Sequence, residues 1–206
     1  KKNDKGQQEI ETEYPVEISR FENRHLDHGD KYFKNGEYKK ALFFLSYDAN
    51  LGDDKAQYNL GIMYKKGLGV PVDHNEAFSW FFLSSNQGNI LANYALGHSY
   101  YKGSGVKKNY QQALRSFEYA GIRGHPTSRL LIGNMYYNGQ GVTKNYIRAH
   151  LWWRFAEDLN INGARQNIEM LEKKMSDEER YKTKDFYEMC MKETLYNCQQ
   201  MTGKMT

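Results

Sequence analysis

The chain has 206 residues, 29 Lys and Arg against 25 Asp and Glu, a net charge of +4 and a mean hydropathy of -0.87. Its basic and acidic residues are interleaved along the sequence, which argues against the continuous basic stripe that nucleic acid requires, and no run approaches the roughly 18 apolar residues of a membrane span. Seventeen Tyr and ten Phe against three Pro suit a helical protein with much amphipathic contact surface.

Residues 1–18 read as a flexible N-terminal tail: KKNDKGQQEIET has nothing to bury, and Pro15 disfavours helix at Tyr14. Lys1 in place of Met reads as a trimmed or processed start, and these residues contain no signal peptide. From about Phe21 the pattern becomes helical, and GDKYFKNGEYKKALFFL is a shortened copy of a unit that then occurs three times, as AQYNLGIMYKKGLGV at 56–70, ANYALGHSYYKGSGV at 92–106 and SRLLIGNMYYNGQGV at 128–142. Gly61, Gly97 and Gly133 are 36 residues apart, as are Tyr64, Tyr100 and Tyr136, Val70, Val106 and Val142, and Ala77, Ala113 and Ala149. A period in this range marks a stacked array, here of four repeats over 19–163 (about 21–53, 54–89, 90–125 and 126–163).

In the first helix of a copy, Ala56, Leu60 and Tyr64 form an apolar stripe. Gly61 lies beside it inside the helix, where glycine costs about 1 kcal/mol relative to alanine, so its recurrence predicts close approach of a neighbouring helix. The helix is expected to stop at Gly67, Gly103 or Gly139, and Asp73, Asn109 and Asn145 are the expected N-caps of a second helix. That helix carries Ala77, Trp80 and Phe81, then Ala113 and Phe117, then Ala149, Trp152 and Trp153. Gly88 and Gly124 close the pair, with Asn160 at the equivalent place in the last copy. Afterwards the pattern frays: Glu169 replaces the glycine and Glu172 the tyrosine. Ser176 and Glu179 form a capping box for one more helix with an apolar face of Phe186, Met189, Cys190 and Met191, so 164–206 read as C-terminal cap helices and tail.

The pattern A-x-x-x-L-G-x-x-Y-x-x-G-x-G-V, then Asp or Asn, then Ala and aromatics, resembles the Sel-one-like repeat family, a relative of the tetratricopeptide repeat, over roughly 21–170. The resemblance implies an all-α, right-handed α-solenoid of antiparallel helix pairs with a concave inner surface, used as an adaptor, and no catalytic motif common to the family. The chain departs from the pattern in its first copy and at Ser128, which stands in place of alanine. Bacterial members often carry C-x7-C pairs as disulfides, so the resemblance implies a Cys190–Cys198 bridge and an oxidising compartment such as the bacterial periplasm. Two free thiols and a cytoplasmic placement are the alternative.

Several motifs carry weaker chemistry. The GLGV, GSGV and GQGV loops lie between two helices rather than between a strand and a helix, which argues against a phosphate cradle. Ser104 and Lys107 match the S-x-x-K motif of penicillin-binding enzymes, but the partner motifs S-D-N and K-T-G are absent. They supply a rival reading, a β-lactam-binding or hydrolytic protein. His25 and His28, with Asp27 between them, are two histidines without a third convergent ligand and read as a solvated face. No metal site or cofactor is expected.

The most informative surface is the side of each first helix opposite the apolar stripe. At 100° per residue it carries Tyr58, Ile62, Lys65 and Lys66, then Tyr94, His98, Tyr101 and Lys102, then Leu130, Asn134, Tyr137 and Asn138. A face that meets only water should be charged, and this one is rich in tyrosine. In tetratricopeptide arrays the corresponding side lines the concave groove. Tyr58 and Tyr94 have two readings, ligand contact or packing within the repeat; Tyr101 and Tyr137, equivalent to Lys65, are the stronger candidates for ligand contact. The expected function is a non-catalytic adaptor, exported in a bacterium, that holds a protein or peptide in this groove, one specific form being an immunity or inhibitor protein of a secreted toxin.

Overall fold

The computed structural model describes residues 25–192, with side chains from His28 onward. The tail over 1–18, the start of the first copy and Cys198 lie outside the described residues. The described chain is an α-solenoid of consecutive helix pairs: α1 (His25–Lys34) with α2 (Tyr38–Asn50), α3 (Asp54–Lys66) with α4 (His74–Asn86), α5 (Ile90–Lys102) with α6 (Tyr110–Ile122), and α7 (Pro126–Asn138) with α8 (Tyr146–Glu157). Then come α9 (Ala164–Glu172), against α8, and α10 (Asp177–Lys192), which packs back onto α8. That return covers Phe155, whose ring meets Tyr187 at 5.7 Å, so α8, the second helix of the last repeat, is capped.

Local chemistry sets the boundaries of these helices. Asp73, Asn109 and Asn145 each cap an even-numbered helix, accepting from the backbone N–H of Glu76, Gln112 and Arg148. Asp53, Asn89 and His125 do the same for α3, α5 and α7. Helices α3, α5 and α7 end at Gly67, Gly103 and Gly139, and Asn160 takes the left-handed conformation that Gly88 and Gly124 adopt in earlier copies. Ser176 and Glu179 form the reciprocal capping box. Along α10, Phe186 and Cys190 are buried, whereas Met189 and Met191 are exposed; Thr183 takes the place expected for them, because α10 presents only a narrow stripe to α8.

Close approach of helices explains the mid-helix glycines. A methyl group at Gly61 would lie 2.5 Å from the Phe81 ring, and one at Gly97 2.6 Å from Phe117. In the third copy Trp153 stands over Gly133. Each pair is thus a ring from the second helix seated on the bare backbone of the first. These rings, with Leu60, Ile132, Met63 and Met135, form the fully buried core.

The second loop glycine does a different job. Gly105 lies against the carbonyl of His74, and Gly141 against that of Tyr110, the first residues of α4 and α6. Both have φ of 72°. Each loop therefore rests on the start of the even-numbered helix one repeat earlier, with no space for a side chain.

Candidate functional site

The structure brings the candidate groove residues onto one face of α3, α5 and α7, where Tyr58, Ile62, Tyr94, His98, Tyr101, Leu130, Asn134 and Tyr137 are half-buried and Lys65, Lys66, Lys102 and Asn138 are exposed. Tyr58 leans on Phe81, with ring centres 6.0 Å apart. Tyr94 is enclosed by His98 at 4.9 Å, Phe117 at 6.1 Å and His125 at 4.2 Å, and its hydroxyl lies 3.2 Å from His98 Nε2. Ile62 packs with Tyr58 on the Phe81 cluster, and Leu130 on the cluster around Phe117 and Trp153. Tyr58 and Tyr94 thus pack within the array and also stay partly exposed on this face.

Tyr101 and Tyr137 also have intramolecular roles that their equivalence to Lys65 did not suggest. Tyr101 packs edge-on against Tyr110 at 5.2 Å and donates to Gln140 Oε1, in the next repeat's loop, at 3.2 Å. Tyr137 lies 5.5 Å from both Tyr146 and Trp153, and its hydroxyl accepts from Lys174 Nζ at 2.7 Å. Asn134 Oδ1 accepts from Trp153 Nε1 at 3.0 Å and from Asn167 Nδ2 at 3.2 Å. Tyr101, Asn134 and Tyr137 are thus each tied to a side chain of the next repeat or of the cap.

Burial sets the electrostatics of this face. It pushes the phenols of Tyr58 and Tyr94 up; Lys65, exposed as a residue, is pushed down by partial desolvation against the helix surface and then by Lys66. His98 is held below the ordinary histidine range first by burial, then by Lys65, Lys102 and His125. His125 is held down by burial, and its Nδ1 accepts from Ser128 N at 3.2 Å, a role that requires this nitrogen to be unprotonated. The groove imidazoles are accordingly neutral at pH 7.

Ser104 is half-buried in the α5–α6 loop and Lys107 exposed. Among the described residues no hydrogen bond joins the Ser104 hydroxyl to Lys107, so the motif is not assembled there as a nucleophile and base. No group of His, Cys, Asp and Glu among the described residues could hold a metal, and none of the described helices is long and apolar enough to cross a membrane. Cys190 is buried on α10. Sequence reasoning missed Tyr110 and Tyr146, the rings beneath Tyr101 and Tyr137. Their signal was available, since they are 36 apart and each directly follows an N-cap.

The Sel1 repeat model matches at 54–89, 90–125 and 127–161, together just over half of the chain. The first helix pair, with its shortened loop, lies before these spans. A Sel1 repeat protein from Oxalobacter formigenes is similar in structure, with 31% identity and a TM-score of 0.65 over 68% of this chain and 58% of that one. A second solved structure is c5321, a protective antigen present in uropathogenic Escherichia coli strains that displays an SLR fold; it has 25% identity and a TM-score of 0.70 over 86% of this chain and 41% of that one. The chain thus spans well under two thirds of each of these proteins. No curated protein matches it.

Proposed function

The chain belongs to the Sel1 repeat family, and on that premise we propose that it is a non-catalytic adaptor holding a protein or peptide partner in a concave groove along the Tyr58, Tyr94 and Leu130 face. The observation that carries this reading is the contrast between the two sets of residues in each copy. Gly61, Tyr64, Ala77 and their copies repeat unchanged, while Ile62, His98 and Asn134, or Lys65, Tyr101 and Tyr137, differ from copy to copy on one rigid face. Preorganised tyrosines lose little entropy on binding, which suits them to recognition.

The test is capture of partners from an extract of the source cells. The double variant Tyr101→Ala, Tyr137→Ala should recover at least about tenfold less of each partner than the wild type, because hot-spot tyrosines are each worth about 2 kcal/mol or more. Tyr101→Lys is the folding control, since Lys65 shows that the framework accepts lysine there. Undiminished capture by the folded double variant would remove the groove from consideration.

We further propose an exported, periplasmic placement with a Cys190–Cys198 bridge, supported by the only two cysteines lying eight positions apart near the C-terminus. Intact mass should rise by about two units on reduction; an unchanged mass means free thiols and removes the argument for export. An immunity or inhibitor role against a secreted toxin is the specific form of the adaptor reading. It rests on analogy with other repeat adaptors.

A further inference from the structure

Although basic and acidic residues alternate over the chain as a whole, one long stretch of it is almost free of acid. Between Ala77 and Ala156 the only acidic residue is Glu118, against nine Lys and Arg. Glu118 accepts from the Tyr136 hydroxyl at 3.1 Å. Of the nine, Arg129 is committed to the carbonyls of Gly121 and Phe155, Arg148 to Tyr136, and Arg154 to Glu157. The lysines are not so committed. Lys102 and Lys108 stand over the rings of Tyr101 and Tyr110, each at 5.9 Å. One repeat later Lys174 and Lys144 stand over Tyr137 and Tyr146, at 5.4 and 6.0 Å. Two similar clusters result, each a packed tyrosine pair flanked by two ammonium groups; Lys174, which comes from the cap and not from the repeat position of Lys102, also donates to the Tyr137 hydroxyl, and no ion pair among the described residues neutralises any of the four.

Helix electrostatics explain only part of this. Lys102, in the last turn of α5, offsets the partial negative charge of a helix C-terminus. Lys108 and Lys144 directly precede the N-caps of α6 and α8, where a cation is disfavoured. Their recurrence at the costly end of the helix points to an anionic partner.

We infer that the two clusters take an extended acidic segment of a protein partner, with carboxylates about three residues apart. The inference rests on the groove reading above and adds its chemical preference. Tyr101 of the first cluster reaches Gln140, in the loop between Tyr137 and Lys144 of the second, so the clusters are about one helix width, roughly 10 Å, apart; an extended chain advances about 3.3–3.6 Å per residue, so every third side chain meets the next cluster. A protein segment fits better than nucleic acid because the rings are packed on one another and on Trp153, which leaves them poorly placed as a base-stacking platform.

The probe is a labelled Ser/Gly peptide carrying glutamate at every third position, compared with its glutamine counterpart and with a single-stranded oligonucleotide, at low and at physiological ionic strength. The glutamate peptide should bind about tenfold more tightly than the glutamine peptide and lose that margin with added salt. Lys102→Glu with Lys144→Glu should abolish the preference with the circular dichroism spectrum unchanged and the melting temperature shifted little, because both side chains are exposed and the helix-end charge lost at Lys102 is offset by the one gained beside the N-cap of α8. Equal binding of the two peptides, no binding of the glutamate peptide at low salt, or oligonucleotide binding as tight through the same lysines would each overturn the proposal. Equal peptide binding that disappears in Tyr101→Ala, Tyr137→Ala leaves the groove standing and removes only its acid preference. Unchanged capture of cellular partners by that tyrosine variant removes the groove itself.

Discussion

Gly97→Ala should lower the stability of the array by about 1–3 kcal/mol, the usual cost of overpacking a core. In an open helix the same change would be stabilising by about 1 kcal/mol. The sign reverses because the new methyl group would meet the Phe117 ring at 2.6 Å, and Phe117 is fully buried with nowhere to go. Phe117→Leu in the same chain should recover part of the loss, so that the double variant is less destabilised than the sum of the single ones. Gly105→Ala should cost at least as much, since there the obstacle is the backbone of His74 and the residue has a φ of 72°. Thermal and denaturant melts of the four variants check both statements. Additive losses for Gly97 and Phe117 would mean that the ring does not set the need for glycine.

Acid should weaken the fold more than its carboxylates alone would suggest. His98, His125 and His150 are all held below the ordinary histidine range, with burial as the first cause in each. For His150 burial outweighs the favourable contact of Nε2 with Glu172 at 2.8 Å, and Nδ1 is buried without a hydrogen-bond partner. A histidine with a lowered folded value stays neutral in the native state while the unfolded chain takes up its proton near pH 6.5. The unfolded state then binds more protons, so the stability is fully present above about pH 6.5 and is lost as the pH falls below it. Each such group contributes up to about 1.4 kcal/mol per pH unit within its window. His150→Leu, with Leu114 as its buried equivalent, should flatten the profile. His125→Asn should do the same and keep the cap, because Asn89 caps α5 in the same way. Melts between pH 7.5 and 5 that show the same slope in the wild type and both variants would count against this account.

The parts of the molecule that could be read from sequence are those that recur. Gly61, Gly97 and Gly133 announce a close approach, and Asp73, Asn109 and Asn145 announce a cap, because a cost or a preference repeated in register has one cause. The groove was harder to read, since its residues answer to partners that differ between copies. Asn134 replaces Ile62 for a reason invisible from its own helix: the third copy seats Trp153 where the second and first full copies seat Phe117 and Phe81, and the indole N–H needs an acceptor. Tyr101 and Tyr137 stand where Lys65 does because Tyr110 and Tyr146 lie beneath them, in place of His74. The lysine clusters were hidden for another reason. Each joins a residue of one helix to a residue of a loop or of a later turn, and linear charge patterning does not register such neighbours.

The seat of each loop glycine on the preceding repeat bears on how a chain of this kind can change its length. Gly105 and Gly141 belong to the incoming unit, whereas the surfaces they rest on, at His74 and Tyr110, are backbone rather than side chain. The joint therefore depends little on which residues stand below it. Duplication of a 36-residue segment such as 90–125 would bring its own fastening and find a usable seat on any full copy. Recombination between copies could lengthen or shorten the array one repeat at a time, leaving the tyrosines and lysines of the α3, α5 and α7 face free to diverge afterwards.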